Sequence, residues 1–297
     1  MNFLIHRSCC HLCFLLLLFS LPFTVSAQLL YEISGNGTKA KSYLLATNAL
    51  VDKAFLDTIP NVFTVFARCD KVVTEFAVED YEALSALRKA ALLPDSAKLE
   101  DYYKQSDYQT ISQVLTSTIR MNMEQLGRMK PAYLTELYRT ALMQQFLGLD
   151  EARTMSGFFE QVAQQTGIRV IGLDNPGEML YMTFEREPFE YQCEELLQIV
   201  TYPDREVELE RNIRSAYLNG RLGDIAFQIA SPDNRSTISY SDYAVWTKRN
   251  EQWAKRLEPY LKDGKSFLTI NCIYLGGEGG LITALRKKGY RVKRVNR

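Results

Sequence analysis

Two carboxylates stand where short apolar runs end. Glu75 closes the run KVVTE, and Asp174 follows IRVIGL. If both runs are strands of one sheet, both acids come to one sheet edge, where a carboxylate pair can do acid/base work of the glycosidase type. The plainer alternative is that they cap neighbouring helices or pair with Arg249. That arginine lies between Trp246 and Trp253, which are two helical turns apart and so share a face, and Asn250 follows it. An arginine flanked by tryptophans can hold a ligand by stacking; alternatively the Trp face packs the helix onto the sheet while Arg249 points into a pocket. Histidine is the residue type that excludes most. The chain has two, His6 and His11, so residues 28–297 contain none. Without an imidazole base, a Ser-His-Asp or Cys-His relay cannot be built there.

Both histidines lie in a segment that reads as a leader. Residues 1–27 carry one charged side chain, Arg7, then an apolar run over 12–19, then Pro22 and Val25-Ser26-Ala27. A basic start, an apolar stretch and a small-residue cleavage site are the pattern of a secretory signal peptide. Cleavage is expected near Ala27–Gln28, and the alternative is an uncleaved anchor. The apolar run is short of the roughly 20 residues that a membrane span needs. The expectation is an exported protein, periplasmic or secreted, with no membrane span after processing. Losing Arg7 takes the 35 basic residues to 34, against 35 acidic ones. That balance excludes a polybasic nucleic-acid binder, because phosphate contacts need an excess of Lys and Arg. Cys69, Cys193 and Cys272 remain after processing. They allow at most one internal disulfide and read more simply as buried small apolar residues.

Six runs read as strands: 29–33, 42–46, 71–76, 168–173, 267–273 and 290–295. Between 76 and 167 apolar residues recur at three- and four-residue spacing, the period of helices, with Pro94, Pro131 and Gly148 as breaks. Further helical stretches span about 190–230 and 240–261, the last closing at Asp263-Gly264. The expected fold is α/β, a central mixed β-sheet with a large helical lobe at about 78–166, in one domain over 28–297. Pro232-Asp233-Asn234 is the weakest seam. Two segments, SYLLATNAL (42–50) and SFLTINCIYL (266–275), each start Ser-aromatic-Leu and carry an Asn within or just after an apolar strand, which suggests a duplicated strand-loop unit.

The last segment, SFLTINCIYLGGEGGLITALRKKGYRVKRV, is the most patterned. A strand leads into Gly276-Gly277-Glu278-Gly279-Gly280, a short helix ends in Arg286, Lys287 and Lys288, and a strand follows Gly289. The loop lacks the Lys-Ser/Thr of a P-loop and the spacing of a dinucleotide fingerprint, so it reads as a tight structural turn.

This segment resembles the C-terminal signature of the TraB/GumN family, which includes the Tiki-type proteins. Leu275, Gly277, Gly280, Leu281, Leu285, Gly289, Tyr290 and Val292 fit it. Upstream, LLYEISGNGTKAKSYLLATNALVD is similar to the family opening, KVVTEFAVED to its Glu-ending strand, IRVIGLDNPGEM to its Gly-Leu-Glu stretch and DYAVWTKRNEQWAKRLEPYL to its Arg-Asn-x-x-Trp helix. The resemblance implies a metal-dependent hydrolase-like site, a peptidase in some members. In it two histidines, a Glu and an Arg-Asn pair cluster at the mouth of the sheet. Glu75, Arg249 and Asn250 are kept. The first family His is replaced by Ala49, after Asn48, and the Gly before it by Ala46. The second is replaced by Tyr274, and the Gly before it by Asn271. The family Glu becomes Asp174, and a Gln becomes Met179.

The reading that follows is a pseudoenzyme. No metal or other cofactor is expected, and a polar pocket remains, with Glu75, Asp174, Arg249 and Asn250 as its remnant and Asn48, Asn271 and Tyr274 as ligand-binding candidates. Its partner would be a small molecule, a peptide or a protein. One alternative is a hydrolase that uses oxygen ligands: Glu75 and Asp174, with Asn48 and Asn271, could hold a hard divalent ion. Another is an interaction module acting through the helical lobe.

Overall fold

The computed structural model describes residues 28–77, 81–148, 155, 157–231 and 240–295; the leader and Pro232-Asp233-Asn234 lie outside them. A six-stranded mixed sheet forms the centre, in the order β4-β3-β5-β2-β1-β6. The strands are β1 (Leu30–Gly35), β2 (Ser42–Thr47), β3 (Lys71–Thr74), β4 (Arg169–Gly172), β5 (Ser266–Asn271) and β6 (Tyr290–Arg294). Neighbours among β4, β3, β5 and β2 pair parallel, whereas β1 is antiparallel to both β2 and β6. Sequence and burial agree strand by strand. Central β5, SFLTIN, is buried through its first five residues, as expected for a parallel strand covered on both faces. Edge strand β6, YRVKR, alternates buried Tyr290 and Val292 with exposed basic residues, which discourages edge-to-edge pairing.

The two segments read as a duplication are neighbours. β2 and β5 lie side by side in matched register, Tyr43 against Phe267 and Leu44 against Leu268. Their exits are alike as well. Asn48 Oδ1 accepts from the Leu50 amide (2.7 Å), and Asn271 Oδ1 from the Ile273 amide (3.2 Å). Each is an Asx turn that ends an extended run.

Those turns shorten the expected strands. β5 ends at Asn271, and Cys272–Tyr274 form a 3₁₀ turn, where the sequence pattern predicts strand as far as residue 273. β3 ends at Thr74, so Glu75 lies just beyond the sheet and not within a strand. The stretch expected as one helix over 240–261 divides into Tyr240–Arg256 and Glu258–Asp263, with Pro259 in the first turn of the second.

Two large apolar cores form. One wraps the sheet and includes an aromatic cluster: Phe159 is 4.8 Å from Phe66 and 4.7 Å from Phe267, ring centre to ring centre. The other belongs to the helical lobe, with Leu99, Ile111, Leu134, Tyr138, Leu196 and Val207 among its buried members. The lobe's boundaries therefore differ from the 78–166 read from the sequence. Helices Phe189–Thr201 and Pro203–Leu218 contribute to its core, whereas Phe158–Thr166 packs on β3 and β4. Periodicity marks a helix but not the layer it joins. Cys69, Cys193 and Cys272 are free thiols, Cys193 only half-buried. Among the described residues no helix is long and apolar enough to cross a membrane.

The glycine loop is a packing device. A Cβ on Gly276 would lie 2.1 Å from the Leu222 carbonyl oxygen, well inside van der Waals contact with the start of the Leu222–Ala230 helix. Gly276→Ala is expected to lower unfolding stability by about 1–3 kcal/mol through overpacking. Urea titration checks this: the midpoint should fall with an unchanged slope.

Candidate functional site

Parallel strands bring their carboxyl ends to one edge, where open α/β sheets bind ligands. The exits of β4, β3, β5 and β2 carry Asp174, Glu75, Tyr274 and Asn48 in that spatial order. The Tyr240–Arg256 helix crosses this edge and delivers Arg249, Asn250 and Trp253.

Asp174 is the fixed point. Its side chain is 3% exposed and accepts from Arg249 Nε (2.8 Å), from Arg249 Nη2 and from Trp253 Nε1 (2.6 Å), with Arg256 Nη1 3.7 Å away. Arg256 also donates to the Leu173 carbonyl (2.6 Å) and pairs with Glu178. Glu178 in turn completes a capping box with Asn175 at the start of the Pro176–Leu180 helix. The guanidinium of Arg249 lies over the rings of Trp253 (4.2 Å) and Tyr274 (4.8 Å). Tyr274 is edge-on to both tryptophans, at 5.3 Å each. Burial pushes its hydroxyl up to about 12, against the pull of Arg249. Of the readings open in the sequence, the structure selects the one in which the Trp face packs and Arg249 reaches the site.

Glu75 is half-buried and accepts from the Asn271 amide through Oε1 (2.6 Å). Burial pushes its carboxyl up to about 7, although the Asn271 amide and Arg249 pull it down. Three other candidates do not face a ligand space. Asn250 Nδ2 donates to the carbonyls of Tyr274 (3.0 Å) and Gly279 (2.9 Å), so it clamps the β5 exit to the glycine loop and does not reach toward Glu75. Asn48 and Asn271 spend their side-chain oxygens on the Asx turns, and Asn48 Nδ2 lies 3.6 Å from Cys272 Sγ. Both are turn-formers, and neither lines the cavity described next.

A cavity of about 450 Å³ opens between the sheet edge and the lobe, a volume in the range of small-ligand sites. Glu75, Arg249, Tyr274, Ile273 and Trp246 line the sheet side. The opposite wall comes from helices Pro131–Leu147, Phe189–Thr201 and Pro203–Leu218 and from the π turn Tyr181–Glu185. The sequence reading did not find this acidic wall. Its only local signal is Glu206 and Glu210, one helical turn apart on an otherwise apolar stripe.

The model of the TraB/PrgY/gumN family matches residues 29–294. The chain belongs to that family. No curated protein and no solved structure matches it.

A metal of the kind implied by the family resemblance does not fit these residues. Both Asp174 oxygens accept hydrogen bonds and face a guanidinium, burial keeps the Tyr274 hydroxyl protonated, and Glu75 is left as a single acid whose own affinity for a proton is raised. Among the described residues no three His, Cys, Asp or Glu side chains are grouped to hold an ion.

Two predictions follow from the charges. Arg249→Met strands a buried carboxylate and should cost about 3 kcal/mol or more in chemical denaturation. Glu75 holds a proton in the folded chain over pH 4.5–7 that the unfolded chain has released, so its contribution falls as pH rises through that window. Glu75→Gln, which keeps the acceptor for the Asn271 amide, should match the wild type near pH 4.5 and exceed it by about 1–3 kcal/mol above pH 7. Denaturation midpoints across pH 4–8 test this; parallel curves for the two proteins would refute the raised value.

Proposed function

We propose that this is an exported TraB/PrgY/gumN-family protein that has lost metal-dependent hydrolase chemistry and keeps the cavity between sheet edge and lobe as a binding pocket for a polar ligand or peptide. One observation carries the reading. The positions that the resemblance assigns to metal-binding histidines hold Ala49 and Tyr274, and the carboxylate at the β4 exit, Asp174, is committed to Arg249 and Trp253. A catalytic metal site needs deprotonated donors with free lone pairs and an open coordination position. Here the Arg249 guanidinium sits on the Asp174 carboxylate, where a cation would have to lie. An aromatic ring and an arginine above a half-buried carboxyl make a surface for binding, with Glu75 and Arg249 offering opposite charges to one ligand.

The test has two parts. Purified protein should contain no stoichiometric zinc, manganese or cobalt by elemental analysis, and a mixed tetrapeptide pool should be recovered intact with or without chelator. In equilibrium dialysis the same pool should leave a retained fraction that Glu75→Gln reduces several-fold. Cleavage that a chelator stops would overturn the loss of chemistry. Retention unchanged in Glu75→Gln would overturn the pocket.

A further inference from the structure

The two walls of the cavity are unlike. On the lobe side, four carboxylates gather around one guanidinium: Arg139 Nε donates to Glu206 Oε1 (2.5 Å), Nη1 pairs with Glu136, Nη2 lies 3.6 Å from Glu195, and Glu210 stands one helical turn after Glu206. All of these line the cavity. One guanidinium cannot balance four carboxylates; the second on this side of the cavity, Arg186, lies 3.4 Å from a fifth carboxylate, Glu187, and the imbalance shows at Glu210. Burial, with the repulsion of Glu206 added, pushes its carboxyl up to about 7 although Arg139 pulls it down.

A second observation is independent of charge. Three side chains of this wall are almost wholly buried, Thr135 and Glu206 at 2% exposure and Gln192 at 4%. Each has one polar atom without a hydrogen-bond partner: Thr135 Oγ1, Glu206 Oε2 and Gln192 Oε1. The rest of Gln192 is well placed, its Nε2 donating to the carbonyls of Phe184 (3.1 Å) and Glu187 (2.9 Å), so the orphaned oxygen is the part turned away from those bonds. Two of the three orphans can only accept, and the third can accept. Buried acceptors are normally paired, and leaving three unpaired on one wall is costly. Arg139 and Arg186 also line the cavity, and Arg139 Nη2 is itself without a hydrogen-bond partner, but no donor of either guanidinium reaches these three oxygens.

We propose that the lobe wall formed by Thr135, Gln192, Glu206 and Glu210 is a subsite for a cationic nitrogen group, the ammonium or guanidinium end of a ligand such as a polyamine or a basic peptide side chain. An ammonium brings three donors and one charge, and a guanidinium brings five donors in a plane, which is the complement that the orphaned oxygens and the excess carboxylates require. The proposal rests on the reading of the cavity as a ligand pocket and adds the chemistry of what enters its lobe side.

Three five-carbon probes separate the possibilities by calorimetry on the whole protein: cadaverine, 1,5-pentanediol and glutarate. Cadaverine is expected to bind about ten-fold or more tightly than the diol, because charge-assisted bonds replace neutral ones. Glu206→Gln should weaken cadaverine about ten-fold, but it also removes a partner of Arg139, so Thr135→Val is the cleaner variant. It deletes an unpaired hydroxyl at nearly constant shape and should weaken cadaverine about three-fold while the thermal midpoint stays level or rises. Equal binding of diol and diamine, or no binding of cadaverine, overturns the subsite. Cadaverine binding indifferent to both variants overturns it too, since the cation then sits elsewhere. If glutarate binds and Glu75→Gln or Arg249→Met alters that binding while cadaverine does not bind, the pocket stands and the cationic subsite alone falls.

Discussion

The structure turns on one buried ionic contact, Asp174 with Arg249. The carboxylate leaves β4 into an almost dry environment, where an unpaired charge is prohibitive. It is balanced by a guanidinium from a helix 75 residues later in the chain and by the Trp253 indole. That contact fixes the rotation of the Tyr240–Arg256 helix on the sheet edge. Once the helix is set, Arg249 must lie over Tyr274, Trp246 and Trp253 must flank the tyrosine, and Asn250 must face the β5 exit and the glycine loop. Glu75 then accepts from the Asn271 amide, and burial raises its proton affinity.

The proposed loss of metal chemistry rests on the same contact. A carboxylate that satisfies a buried guanidinium is not available to a divalent ion, because the ion would have to displace a cation already held by several hydrogen bonds. At the two positions where the resemblance implies imidazoles stand Ala49, which has no donor, and Tyr274, which serves as an aromatic floor for Arg249. The remnant is polar and enclosed, and its charges are spread over two walls. Opposite-signed groups on the sheet side face a lobe side on which carboxylates outnumber guanidinium groups.

Much of this was legible in the chain. Short apolar runs mark all six strands, with Val and Ile recurring in three of them, and the helical spacing marks the lobe. The carboxylates at the exits of the third and fourth strands, and an arginine bracketed by two tryptophans on one face, gave three of the site's principal residues. The two Ser-aromatic-Leu segments did pair as neighbours with matching Asx turns. Asn48 and Asn271 form turns at strand ends, and Asn250 clamps the β5 exit to the glycine loop from its helix; an Asn can equally bond the backbone or meet a ligand, and sequence does not say which hydrogen bonds are closer. The division of the lobe was missed for a related reason. An amphipathic helix such as Phe158–Thr166 shows that it has a buried face but not against which layer.

By itself the sequence determined the inventory of chemistry: no imidazole beyond residue 11, carboxylates at strand exits, and basic and acidic residues in equal number. These are properties of residue type and short-range period, and folding cannot add to them. Tertiary structure alone decided the pairings. It gave Arg249 to Asp174, brought three helices from distant parts of the chain over the sheet edge, and left Thr135, Gln192 and Glu206 with unpaired atoms on one wall. Charge pairing and hydrogen bonding depend on distances of a few ångströms in space, and separation along the chain carries no information about those distances.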